Sequence, residues 1–165
     1  MNDKVALVTG ASSGIGLAIT NLLLDSGHRV VAVARRASAT LRGSDRLAVV
    51  DGDVGLAETS THAVAAATER FGRLDLLVNN AGIFVSKPFT EYDAEEQARL
   101  VATNLFGFVH ATQAALRVMV PAGRGHVVSI GTSLCAQPIA GVPAALPVLL
   151  EVLHLDGGAH AGRWS

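Results

Sequence analysis

The sequence predicts an α/β fold of three layers, in which helices cover both faces of a doubly wound parallel sheet. Three observations lead there. Short apolar runs rich in β-branched residues alternate with segments of helical periodicity along the 165 residues. The runs are apolar without a polar alternate, as strands buried on both faces are. Turns rich in Gly and Ser separate them, and strand–helix–strand alternation is the pattern of parallel βαβ units.

The elements follow in order. Residues 4–9, Lys4-Val5-Ala6-Leu7-Val8-Thr9, form the first predicted strand. Ile15, Ala18, Ile19, Leu22 and Leu23 recur at helical spacing over 14–26, and Gly27 stops that helix. Arg29–Ala34 is the second strand and Leu47–Val50 the third. Residues 57–71 are helical and end at Gly72, and Leu74–Val78 is the fourth strand. One long helix is expected over about 94–119, and His126–Ile130 is the fifth strand.

Composition narrows the function. The length suits one domain, residues 1–165. Half of the residues are hydrophobic and only 16% are charged, so much surface is expected to be buried, including in a homo-oligomer. The net charge of −1, with no basic stripe, argues against nucleic acid. Cys135 is the only cysteine, which excludes an internal disulfide and suits a reducing compartment. No signal-peptide pattern or membrane-length apolar run is present, so a cytoplasmic location is expected. The six histidines lack metal-ligand spacing, and no metal site is expected.

The chemistry begins at Thr9-Gly10-Ala11-Ser12-Ser13-Gly14-Ile15-Gly16, between the first strand and the first helix. Glycine there allows a sharp turn, lets a diphosphate approach the backbone, and lets helix pack closely on sheet. The helix N-terminus offers free N–H groups to phosphate, and Ser12 and Ser13 add hydroxyls. A plain connecting loop has the same composition, but the strand–turn–helix context is the one a nucleotide site requires.

The spacing Thr-Gly-x-x-x-Gly-x-Gly resembles the signature of the short-chain dehydrogenase/reductase family. Three further segments carry the resemblance: Asn79-Asn80-Ala81-Gly82 after the fourth strand, Asp53-Val54 after the third, and Asn104 in the long helix. It runs continuously over about residues 4–149. The resemblance implies a Rossmann fold and a nicotinamide cofactor. Gly10, Ser12, Ser13, Gly14, Ile15 and Gly16 would hold the diphosphate. Asp53 and Val54 would meet the adenine, and Asn80, Ala81 and Gly82 the nicotinamide ribose side. Asn104 would organise a water in a proton relay. Asp53 alone also fits a turn carboxylate, and Asn79-Asn80 a turn that satisfies its own backbone.

NAD-selective sites of this fold carry an acid near the end of the second strand, about 20 residues beyond the glycines. Here the chain reads Val33-Ala34-Arg35-Arg36, with no carboxylate between Gly27 and Gly43. Two guanidiniums suit a 2′-phosphate, so NADP(H) is expected over NAD(H), although solvated loop arginines have the same pattern.

Hydride transfer at a carbonyl needs a proton donor or acceptor at oxygen. The family supplies it with a Tyr-x-x-x-Lys pair, which this chain lacks. Its only tyrosine is Tyr92, and its only lysines are Lys4 and Lys87. Thr132 or Ser133 would take the position of the family's serine, and equally suit a turn after a strand. Glu151–Gly158 resembles the last strand and Asp-Gly-Gly turn of complete members, which implies a shortened C-terminal part with a junction near Leu149–Glu151; a divergent tail is the alternative. The fifth strand would then be an edge unless the 151–156 segment pairs with it, and exposed apolar surface would favour self-association.

Two functions follow. One is an NADP(H)-dependent oxidoreductase acting on an alcohol or ketone. The other is a catalytically silent NADP(H)-binding module or shortened gene product. A methyltransferase of similar fold fits less well, because it gives Asn79-Asn80-Ala81-Gly82 no purpose.

Overall fold

The computed structural model describes residues 3–131 and the strand Leu153–Leu155. Thr132, Ser133, Cys135 and the junction near 149–151 lie outside the described residues. Among the described residues six strands form one sheet: β1 (Val5–Thr9), β2 (Arg29–Ala34), β3 (Leu47–Asp51), β4 (Leu76–Asn79), β5 (Gly125–Ser129) and β6 (Leu153–Leu155). Their spatial order is β3-β2-β1-β4-β5-β6. The first five pair in parallel, and β6 pairs antiparallel with β5 through Gly125–Val127. The fifth strand was expected to be an edge unless the 151–156 segment paired with it; Leu153–Leu155 does pair with it, in the opposite direction to the rest of the sheet.

Among the described residues four helices flank the sheet: α1 (Gly14–Asp25), α2 (Ala57–Phe71), α3 (Ala94–Val101) and α4 (Gly107–Met119). The period-2 geometry of β1 makes the layers visible. Val5 and Leu7 pack with Ala63, Val64, Phe71, Ala111, Ala115 and Met119 of α2 and α4. Val8 packs on the other face, in the cluster that takes Leu17, Ile19, Leu23 and Leu24 of α1. Strands buried on both faces explain why the sequence shows apolar runs rather than alternation.

The single long helix expected over 94–119 is two helices joined by one wide π turn, Ala102–Phe106. A turn of this kind inserts a residue into the helical ladder and commonly marks a functional position. Here it contains Asn104. The start of α3 follows local rules: the Asp93 side chain accepts the Glu96 N–H at 2.8 Å and the Glu96 side chain accepts the Asp93 N–H at 3.1 Å. α2 stops at Gly72, whose φ of +78° is the left-handed helix end that glycine permits.

The N-terminal edge of the sheet is tied by Asp75, which is 5% exposed. Its carboxylate accepts the Val5 N–H at 2.9 Å and two bonds from the Arg73 guanidinium, at 2.7 and 2.6 Å. Arg124 stands 3.5 Å away. The Asp75 backbone donates to Val5 O and accepts from the His126 N–H, so one residue joins β1, β4 and β5. Burial opposes its charge, but the Arg73 hydrogen bonds, the Val5 N–H and the two nearby arginines hold the carboxyl below its ordinary range.

Candidate functional site

The direction in which successive strands are added reverses between β1 and β4, because β2 and β3 lie on one side of β1 and β4 and β5 on the other. In such sheets ligands bind outside the carboxyl ends of the strands at this reversal. The turn after β1 and the segment after β4 both begin there.

Thr9, 3% exposed, locks the two together. Its hydroxyl oxygen accepts the Asn80 and Ala81 N–H groups, each at 3.0 Å, and the hydroxyl donates to Val78 O at 3.4 Å. The Asn80 carboxamide donates back to Thr9 O at 3.0 Å and Gly10 O at 3.3 Å. The second asparagine of Asn79-Asn80 thus builds the glycine turn. Asn79 is different: its amide donates to Thr112 Oγ1 on α4 at 3.0 Å, and its buried Oδ1 has no partner among the described residues. Thr9 heads the glycine motif in the sequence, but its role as the lock between the two segments rests on contacts about 70 residues away that no local pattern encodes. Nothing local in the sequence marks Thr112.

The glycines divide their work unequally. A Cβ on Gly16 would stand 2.2 Å from Gly10 O and 2.4 Å from the Asn80 amide nitrogen, so no other residue fits. Gly14, at φ +51°, has nothing within 4 Å of a Cβ position. That side is open space, and the backbone alone requires glycine there. Ser13 occupies the N-cap of α1 without a side-chain capping bond, which leaves the first N–H groups of the helix available to a ligand. Ile15 is exposed and Ser12 half-buried. This open, donor-lined turn fits a diphosphate.

On the far side of β1, Ala11 N–H donates to Val33 O at 3.1 Å and seats the turn against β2. Arg35 and Arg36 leave the end of β2 exposed. Neither forms an ion pair or side-chain hydrogen bond with another described residue. Asp53, just beyond β3, accepts the Gly55 N–H at 2.8 Å, so its carboxylate serves a turn and remains exposed. The Val54 side chain is 6% exposed and packs in the core under α2 and α4, beside Gly107. Only its backbone can face an adenine.

Across the crevice, the Asn104 carboxamide grips one residue of the segment after β4. Oδ1 accepts the Ile83 N–H and Nδ2 donates to Ile83 O, both at 2.9 Å. Gly82 is exposed and Ala81 half-buried at this place. The wide turn of the helix therefore holds Ile83 and, with it, the residues expected on the nicotinamide side. Tyr92 and Lys87 do not form an acid–base pair here. The Tyr92 hydroxyl donates to Val85 O, and Lys87, 5.1 Å over the Tyr92 ring, is ion-paired with Glu96.

Fold and crevice together define a doubly wound Rossmann-type α/β domain. Comparison with known proteins gives the family. The profile of the short chain dehydrogenases matches residues 4–144, and the chain belongs to that family. An uncharacterized oxidoreductase of Staphylococcus aureus strain USA300 is 36% identical over 137 residues, which are 80% of this chain and 59% of the relative. One from Staphylococcus saprophyticus is 36% identical over 140 residues, covering 80% and 60%. Among solved structures, a short-chain dehydrogenase from Streptomyces avermitilis superposes with a TM-score of 0.78 at 36% identity, over 86% of this chain and 53% of that one. A short chain dehydrogenase from Burkholderia cenocepacia in complex with NADP gives 0.75 at 32%, over 84% and 59%. The chain thus spans about three fifths of the length of the curated relatives it matches. No helix among the described residues is long and apolar enough to cross a membrane.

Proposed function

We propose that this chain is the NADP(H)-holding part of a short-chain dehydrogenase that moves hydride between the nicotinamide and a small alcohol or ketone. The observation that carries the cofactor is the open glycine turn beside two uncommitted arginines. Gly10, Ser12, Ser13, Gly14, Ile15 and Gly16 would hold the diphosphate at the start of α1. Arg35 and Arg36 would take the 2′-phosphate, where bidentate guanidinium contacts suit phosphate better than a ribose hydroxyl. Asp53 and the Val54 backbone would border the adenine. Asn80, Ala81 and Gly82 would border the nicotinamide ribose, with Asn80 acting through the turn it braces.

The bound cofactor supplies the hydride; the chain supplies placement and, at the carbonyl oxygen, a proton path. Asn104 would stand on that path, held by Ile83, with a second lone pair of Oδ1 open to a water. Thr132 or Ser133 would steady the substrate oxygen. The abundance of exposed apolar side chains, Leu105 and Phe106 beside Asn104 among them, supports a homo-oligomer. A single cytoplasmic domain over residues 1–165 completes the proposal.

A second possibility is a silent NADP(H)-binding module, and a specific observation favours it. The only tyrosine and the lysine nearest it are committed to Val85 and Glu96. Fluorescence titration with NADPH and NADH, followed by NADPH oxidation with a panel of ketones, tests both. Binding with turnover supports the dehydrogenase, binding without turnover the silent module, and the absence of binding removes both. Replacing Arg35 and Arg36 by alanine should weaken NADPH about tenfold or more and leave NADH unchanged.

A further inference from the structure

β2 and β3 end side by side, with Ala34 opposite Asp51. Past Ala34 the chain puts out two adjacent exposed arginines, buries Ala37 completely, and makes a single 3₁₀ turn over Ala37–Ala39. Two neighbouring guanidiniums repel each other, and both side chains have much rotamer freedom to lose when they bind a ligand. A backbone that is to present them in one direction needs anchors on both sides. The buried Ala37 methyl is one anchor.

The other comes from the neighbouring strand. One oxygen of the Asp51 carboxylate accepts the Ser38 backbone N–H at 2.8 Å, and the other accepts the Ser38 hydroxyl. These Ser38 bonds, the hydroxyl foremost, hold the carboxyl below its ordinary range, so it is ionised at neutral pH. Gly52 N–H closes the same junction by donating to Ala34 O at 3.0 Å. Asp51 forms no ion pair with Arg35 or Arg36. Its charge is used on Ser38, and the guanidiniums stay free.

We propose that Asp51 is a positioning residue for the 2′-phosphate of NADP(H), acting through Ser38 to fix the backbone that carries Arg35 and Arg36. The proposal rests on the cofactor assignment above and adds the residue that makes the arginine pair selective. Two effects of Asp51 oppose each other. Its charge repels a phosphate, but across solvent that repulsion is screened. Its hydrogen bonds order two rotamer-rich side chains, and leaving that ordering to the ligand costs about three- to tenfold in affinity for each. Ordering should therefore dominate.

The test is fluorescence titration of the full chain with NADPH and with NADH, alongside thermal melting. Asp51→Ala should raise the NADPH Kd about tenfold and leave the NADH Kd within about twofold, with only a small fall in melting temperature. Ser38→Ala, which keeps the backbone N–H bond, should raise it about threefold, and Asp51→Asn should lie between the two. Tighter NADPH binding by Asp51→Ala, equal loss for both cofactors, or no change would overturn the proposal. If the wild-type chain itself shows no preference for NADPH, the cofactor assignment fails and this role fails with it. A wild type that prefers NADPH, with variants that keep the preference, overturns the Asp51 role alone.

Discussion

The two edges of the same sheet treat polar groups in opposite ways. At the N-terminal edge every strong group around Asp75 is used: the carboxylate takes Arg73 and the Val5 N–H, and the backbone joins β1 to β4 and β5. At the C-terminal edge polar groups are held in position yet left open. Ser13 makes no side-chain capping bond to its helix, Gly14 faces empty space, and the side chains of Arg35 and Arg36 bind no described residue. A saturated edge contributes stability, and an unsaturated but rigid one is prepared for a ligand. Substitutions should accordingly separate into those that unfold the chain and those that only blind it.

The sharpest challenge to that division is Gly16, which belongs to both classes. Gly16→Val drives a side chain into Gly10 O and the Asn80 amide, so it should cost about 3 kcal/mol or more and abolish NADPH binding. Urea unfolding and cofactor titration on one preparation would check it. A stable, binding-competent variant would show that the turn is not rigid.

Next in size is Asp75→Ala, which leaves a buried N–H and two arginines without their acceptor. A loss of about 2–4 kcal/mol is expected in urea, with the NADPH Kd of the folded fraction unchanged. A selective loss of cofactor affinity would contradict the division of the edges. The same residue gives a pH dependence. Its carboxyl lies below its ordinary value of 3.8 in the folded chain, so its contribution is complete above that value and disappears as pH falls through the native one. Urea midpoints measured from pH 6 down to 3 should fall mainly below about pH 4, and the fall should be shallower in Asp75→Asn.

Asn104→Ala removes two hydrogen bonds from a half-buried position and should cost about 1–2 kcal/mol. It should weaken NADPH and NADH alike, since Ile83 lies on the nicotinamide side rather than beside the arginines. The smallest effect belongs to the Lys87–Glu96 pair. Its partners keep about a fifth to a quarter of their side chains exposed, and Lys87→Met should change stability by less than about 1 kcal/mol. It should leave cofactor affinity untouched.

Much of this was legible beforehand. Helix α2 and its stop at Gly72 follow from periodicity and a glycine, and β2 follows from its β-branched run with the same bounds. The long helix was not resolved into its parts, because the wide turn at Ala102–Phe106 reflects a grip on Ile83, 21 residues away, that no local pattern encodes. Similarly, Val54 appeared as a ligand neighbour beside Asp53, but packing against Gly107 carries its side chain into the core. Asp53 shows how an alternative can be realised: its carboxylate closes a turn with Gly55.

By itself the sequence determined the alternation of strands and helices, the glycine turn and the exposed arginine pair, because hydrophobic period, backbone permissiveness and charge are local properties. Only the tertiary structure decided that Asn80 braces the turn, that Asn104 holds Ile83, and that Asp51 reaches Ser38. Each of these contacts joins groups brought together by parallel pairing or by helix packing on the sheet, and their hydrogen-bond geometry exists only once those layers have closed.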